Sequence, residues 1–293
     1  IPYLLLITLV AISCSQSQEV SSKDSDKIKP NITHVIAHRG AWKNTNHPEN
    51  SIPALKAAID LQCYGSEMDV HMTADGYLVV NHDPHFNKID IQNSNLVDLR
   101  KFKLSNGDEL PLLSDFLQVI RKQNKTKLIV EIKPSIRGKE WALATTKKVT
   151  DEIKKFHAGS HVEYISFDLD ICKEVLKYVP KATVQYLNGD KTPAEIKDAG
   201  LSGLDYHYSV FQQHPDYFAE SKKLGLVTNV WTVNDPLVMD WMIAHNVNFI
   251  TTNEPELLFG KIKLAGNVSR YKEVRNRWYI IRNNFTGILL QTM

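Results

Sequence analysis

Between Ile32 and Leu258 the chain alternates eight times between a short β-branched or apolar run and a longer amphipathic one. Few architectures accommodate that rhythm. A strand repeats its facing every second residue and a helix every 3.6, so each switch of period marks one βα unit. The strands are expected at residues 34–37, 65–70, 127–131, 163–167, 182–187, 203–208, 227–233 and 247–251. Helices are expected at 51–62, capped by Ser51, and at 114–122, 140–156, 169–178, 193–199, 215–224 and 236–245. Eight strands, nearly all followed by a helix, predict an α/β protein of the closed (β/α)₈ TIM barrel type. The rival, an open doubly wound sheet, lacks its Gly-rich dinucleotide loop after the first strand. Asp75-Gly76, between Val70 and Leu78-Val79-Val80, predicts a small hairpin-like insertion after the second strand, within residues 71–110.

The 293 residues are 43% apolar, enough for one sizeable core. With 35 basic against 33 acidic residues and a formal charge of +2, the chain lacks the footprint of a nucleic-acid binder. Residues 1–13 are nearly all apolar, too few to span a bilayer and suited to the core of a secretion signal. The first residue is Ile and no basic segment precedes the apolar run, so this signal is expected to begin upstream. Small residues leading to Cys14 are similar to the lipobox of bacterial lipoproteins, with Ala11 where Leu is usual. Cys14 is therefore the expected lipidation site, on an exported, periplasmic or outer-membrane-anchored lipoprotein that touches the membrane by its anchor alone. Residues 14–31 read as a flexible linker, 32–263 as the barrel, and 264–293 as a basic tail of unassigned role. Cys63 and Cys172 lack metal-ligand spacing and are expected as buried thiols, with a disulfide after export as the alternative. Oligomeric state is not legible.

A parallel barrel gathers its reactive groups at the C-terminal ends of the strands, where the βα loops converge. The first strand runs into His38-Arg39-Gly40, the second carries Glu67, Asp69 and His71, and the next apolar run ends in Asn81-His82-Asp83. The third barrel strand ends in Glu131-Ile132-Lys133, the seventh in Trp231-Thr232-Val233-Asn234, and the eighth in Thr252-Asn253-Glu254-Pro255. Glu67 and Asp69, one residue apart on a strand, face the same side, where two carboxylates repel unless a cation joins them. Glu131 on the adjoining strand would complete a set of three hard oxygen donors, suited to one divalent cation, Mg²⁺ or Ca²⁺, rather than zinc. The bland alternative pairs Glu131 with Lys133 and leaves the other two in solvent. His38 and His82 follow strand-like runs, beside Arg39 and Asp83, and imidazoles titrate near neutrality, so one can serve as base and the other as acid.

These segments, with Pro48-Glu49-Asn50-Ser51 and Thr73-Ala74-Asp75-Gly76, resemble the ordered motif series of glycerophosphodiester phosphodiesterases from about Val35 to Leu258. The resemblance implies His38 and His82 as acid and base, and Glu67, Asp69 and Glu131 as metal ligands. It places Arg39 and Lys133 on the phosphate and Trp231 along the pocket. Glu49 and Asn50 would support the metal shell and the first loop, with Asp83 beside its histidine. Ser51 replaces the usual Thr, and Asn253 stands where an Asp commonly follows Thr.

The implied activity is cleavage of a small glycerophosphodiester to glycerol 3-phosphate and an alcohol. Such hydrolysis needs its barrier lowered by roughly 20 kcal/mol, whereas one acid or base supplies about 3–5 kcal/mol. A cation with Arg39 and Lys133 would offset charge on the phosphate oxygens. Attack by the glycerol 2-hydroxyl, through a cyclic phosphate, could gain about 7–11 kcal/mol from proximity, and direct attack by water is the alternative. Two further readings are a lysophospholipase-D/C-like enzyme acting on lysolipids and a non-catalytic surface lipoprotein that binds phosphorylated ligands.

Overall fold

The computed structural model describes residues 33–266. The expected signal, Cys14, the linker and nearly all of the basic tail lie outside them. No helix among the described residues is long and apolar enough to cross a membrane.

Eight parallel strands form the barrel: β1 (His34–Ala37), β2 (Gly65–Met72), β3 (Lys127–Ile132), β4 (Val162–Ser166), β5 (Val184–Tyr186), β6 (Gly203–His207), β7 (Val227–Trp231) and β8 (Phe249–Thr252). Each pairs with the next, and β1 pairs with both β8 and β2, which closes the ring. Seven helices follow β1 to β7: α1 (Ile52–Asp60), α2 (Leu113–Ile120), α3 (Lys139–Lys155), α4 (Leu169–Tyr178), α5 (Pro193–Asp198), α6 (Asp216–Leu224) and α7 (Pro236–Ala244). Helical backbone from 255 to 266 follows β8. The expected TIM barrel is therefore the observed one.

Local chemistry starts the helices. Ser51 accepts a hydrogen bond from the Ala54 amide, and Thr192 and Glu195 form a reciprocal capping box ahead of Pro193. Asp235 accepts from the amides of Leu237 and Val238 and begins α7, with Pro236 at its first position. Helix Tyr208–Gln213, directly after β6, was not expected from sequence. Its start is capped by the His207 ring, which accepts from the Ser209 amide, outside the usual Ser/Thr/Asp/Asn signals.

Period-2 alternation divides the strands between two cores. Met68 and Val70 of β2, Leu128 and Val130 of β3, and Leu204 and Tyr206 of β6 pack outward against the helices. Inside the barrel, Ile36, Ile129, Ile165, Leu187 and Phe249 form a smaller apolar cluster. The insertion has a third core, which includes Val79, Ile91, Leu99 and Leu110. Its strand Leu78–Val80 pairs antiparallel with the end of β2, His71 opposite Val79, and the turn between them has Gly76 at φ +84°. That pairing extends β2 two residues beyond its expected end.

Gly203 lies where β6 and β7 approach so closely that a Cβ would collide with the Val227 carbonyl. Replacing it with alanine is expected to cost about 2 kcal/mol through overpacking, and to lower the thermal midpoint by roughly 4–8 °C in a domain of this size. A melting curve unchanged from the parent would mean that the two strands part freely.

Candidate active site

At the end of β1 the chain turns sharply. Arg39 has φ +56° and Gly40 φ +84°, and a Cβ on Gly40 would lie 2.7 Å from that of Ala54, so only glycine fits there. A left-handed Arg costs on the order of 1–3 kcal/mol. The turn aims the Arg39 amide at Glu67 Oε2, 2.8 Å away, while its guanidinium grips both Glu49 oxygens at 2.9 and 3.0 Å. Asn50, also left-handed at φ +55°, donates to Asp69 Oδ2 at 2.7 Å and accepts from the Asp69 amide at 3.2 Å. Arg39, Glu49 and Asn50 thus brace the acidic groups of β2.

Glu67 and Asp69 face the same side of β2, and Asp69 stands in register with Glu131 of β3. All three are buried, and each offers an oxygen within 4.8 Å of the others. Lys133 lies between them, its Nζ 2.8 Å from Asp69 Oδ1 and 2.8 Å from Glu131. The Glu131–Lys133 pairing of the bland alternative does form, but without sending Glu67 or Asp69 into solvent.

One ammonium cannot balance three buried carboxylates. Burial and the neighbouring charges of Asp69 and Glu131 push Glu67 well above its usual range. Burial, and then the charge of Asp69, raise Glu131 to about 7. Burial alone would raise Asp69 as well, but the Lys133 ammonium outweighs it and holds that carboxyl below its ordinary range. Lys133 would be lowered by burial, yet Asp69 and Glu131 hold it above the usual amine value. Glu67 Oε1 has no hydrogen-bond partner among the described residues. Three hard oxygens, a surplus of negative charge and a free lone pair fit a divalent cation such as Mg²⁺ or Ca²⁺.

The two imidazoles border the same cavity of about 100 Å³, together with Arg39, Glu67, Glu131 and Lys133. His38 Nδ1 lies 2.8 Å from Asn253 Oδ1, and its Nε2 is 4.0 Å from Glu67. Burial, and then the Arg39 charge, lower His38 to about 4. His82 is more exposed, and its Nδ1 lies 2.7 Å from the Asp83 carboxylate. His71 lies behind it, with Nε2 3.3 Å from the His82 carbonyl and Nδ1 3.4 Å from the Gln92 amide. Trp231 lines the opposite side, where Phe167 meets it edge-on at 5.3 Å, beside Ile165 and Leu187.

Three features escaped the sequence reading. His71 was visible at the end of β2, but its contact to the His82 loop depends on the folded insertion. Gln92, buried in that insertion, accepts from Ser135 at 2.7 Å and bridges to the loop after β3. Asp205, inward on β6, lines the cavity. A lone acid between apolar Leu204 and Tyr206 was its available signal. Cys63 and Cys172 are buried free thiols, as expected.

The profile of the glycerophosphoryl diester phosphodiesterase family matches residues 38–257. A glycerophosphodiester phosphodiesterase of Caldanaerobacter subterraneus subsp. tengcongensis is 30% identical over 252 residues, covering 80% of this chain and 99% of that one. The crystal structure of a glycerophosphodiester phosphodiesterase from Parabacteroides distasonis is similar at 41% identity and a TM-score of 0.79, covering 80% of this chain and 99% of the other. An Oleispira antarctica phosphodiesterase, solved with the product sn-glycerol-3-phosphate, shares the fold at 20% identity and a TM-score of 0.66, covering 79% and 97% of the two chains. Matched across most of its length by the family profile and by these relatives, the chain belongs to the glycerophosphoryl diester phosphodiesterase family.

Proposed function

We propose that this phosphoric diester hydrolase cleaves small glycerophosphodiesters to glycerol 3-phosphate and an alcohol, using a divalent cation and the two histidines at the barrel mouth. The observation that carries this is the juxtaposition of three buried carboxylates with His38 and His82 around one cavity. Glu67, Asp69 and Glu131 would hold the cation, which supplies Lewis-acid stabilisation of the phosphate's non-bridging oxygens.

The protein's own groups divide the remaining tasks. Arg39 and Lys133 border the cavity and offer positive charge to the phosphate. A carbonyl-type oxygen faces His38 Nδ1, so that nitrogen carries the proton and Nε2 keeps its lone pair. Burial favours the same neutral form, and His38 is thereby suited to be the base. His82 has the Asp83 carboxylate on Nδ1, which fixes the ring with Nε2 free to face the departing alcohol, and it would serve as the acid. His38 would take the proton of the attacking hydroxyl, the glycerol 2-hydroxyl or a water. As the new P–O bond forms and the bond to the alcohol breaks, His82 would return a proton to the alcohol oxygen; where the 2-hydroxyl attacks, a water would then open the cyclic phosphate, its proton replacing the one lost from that hydroxyl, to leave glycerol 3-phosphate. The apolar run before Cys14 supports an exported, lipid-anchored placement of the enzyme.

Alanine at His38 or at His82 is expected to reduce turnover of glycerophosphocholine at least about a hundredfold, with circular dichroism unchanged. Full activity in either folded variant would remove that residue from the reaction. A parallel assay on lysophosphatidylcholine distinguishes this substrate class from lysolipids, because faster cleavage of the lysolipid would overturn the small-diester preference.

Saturating Mg²⁺ or Ca²⁺ is expected to raise the thermal midpoint of the parent, since a ligand at a hundred times its Kd stabilises the folded state by about 2.7 kcal/mol. Glu67→Gln should abolish most of that shift. Equal shifts in both proteins would place the cation elsewhere.

A further inference from the structure

The wall opposite the metal-binding carboxylates holds an acidic group to which the reaction above gives no task. Asp205 sits in the middle of β6, between Leu204 and Tyr206, which pack toward the helices, so its side chain faces the barrel interior. It is buried, it borders the cavity, and its Oδ1 has no hydrogen-bond partner among the described residues. Two strands, β4 and β5, separate β6 from β3 around the ring, and Asp205 is not one of the three carboxylates that converge for a cation. Burial, and then the charge of Glu131, push its carboxyl well above the ordinary range, and the Asn229 side chain, in register with it on β7, opposes that rise in part. A buried polar atom without a partner weakens a fold, and such groups persist where a ligand completes them.

The chemistry of the missing partner follows from what borders the cavity. Arg39 and Lys133, which suit the phosphate, lie with the carboxylate cluster on one side. On the other side the Trp231 indole donates to the Asp205 carbonyl oxygen at 2.8 Å, and Phe167 and Leu187 make the surround apolar. A small neutral group that can donate one hydrogen bond and present carbon to an aromatic wall suits that corner. An alcohol does both, and it can donate to a carboxyl oxygen whether or not the acid is protonated. The glycerol half of the proposed substrate has two hydroxyls, of which the one beside the phosphate belongs with the reacting groups. The terminal one projects away from them.

We propose that Asp205 is a specificity residue that accepts a hydrogen bond from the terminal hydroxyl of the substrate's glycerol moiety. The inference rests on the glycerophosphodiester reaction proposed above. It makes the site a reader of glycerol rather than of any phosphodiester that fits.

The test compares glycerophosphocholine with the phosphocholine ester of propane-1,2-diol, which keeps the hydroxyl beside the phosphate and lacks the terminal one. The parent should favour glycerophosphocholine by roughly ten- to a hundredfold in kcat/KM, the range of a hydrogen bond to a charged or buried partner. Most of this should lie in KM. Asp205→Ala should lose a similar factor on glycerophosphocholine, and removing carboxyl and hydroxyl together should cost no more than removing either alone. Asp205→Asn, whose amide oxygen still accepts, should recover part of the preference. Equal losses on both esters would overturn the proposal, with a lowered midpoint marking Asp205 as structural and an unchanged one marking it as a general part of the chemistry. An unaltered preference in Asp205→Ala would overturn it as well. A parent that hydrolyses neither ester with Mg²⁺ or Ca²⁺ would defeat the hydrolase reading itself, a failure visible before any variant is made.

Discussion

Repulsion among Glu67, Asp69 and Glu131, held away from water at the ends of β2 and β3, is the constraint around which this barrel is arranged. Charges that water would screen interact strongly in a protein interior. Lys133 answers part of that repulsion by bridging Asp69 and Glu131, while burial, and then the repulsion that remains, displaces Glu67 and Glu131 upward. Much of the surrounding backbone serves the same cluster. The left-handed residues Arg39 and Asn50 are unfavourable in isolation, yet one aims an amide at Glu67 and the other clamps Asp69.

The fold makes such a cluster reachable from short-range rules. Two-residue periodicity turns Glu67 and Asp69 inward, and the parallel register of β2 on β3 sets Asp69 beside Glu131. Closure through the β1–β2 pairing brings His38 to the same mouth. The antiparallel insertion then supplies His82 from outside the βα repeat, steadied by His71 behind it. The cavity between these elements has one charged wall and one aromatic wall, a division that matches a substrate with an anionic centre and a neutral polyol end.

The two histidines show how environment separates identical side chains. His38 is enclosed and faces a neutral amide, which favours a proton on Nδ1 and a free Nε2. His82 is open to solvent and faces a carboxylate. Asn253 is central to that difference, because an aspartate in its place would draw His38 toward its charged form. The departure from the usual motif therefore falls on the partner of a cavity imidazole, and the hydrogen bond is kept while its charge is not.

The eight strands and their helices were legible because periodicity and capping act within a few residues, as at Ser51, Thr192 and Asp235. The three clustered carboxylates were legible too, since Glu67 and Asp69 share a strand and Glu131 ends the next one. The helix after β6 was not, because its cap is a histidine ring, and neither was the His71–Gln92 contact, which requires the insertion to fold back on β3. Asp205 carries only the weak local signal of an acid between two apolar strand residues, which does not by itself place it in a cavity. Residue order alone determined the elements, the direction each side chain faces and the chemical type of the strand ends, since these follow from dihedral period and residue identity. Only tertiary closure decided which of those ends share a cavity, which carboxylates go without a counter-charge and which imidazole meets an amide, because each depends on contacts between residues far apart in the chain.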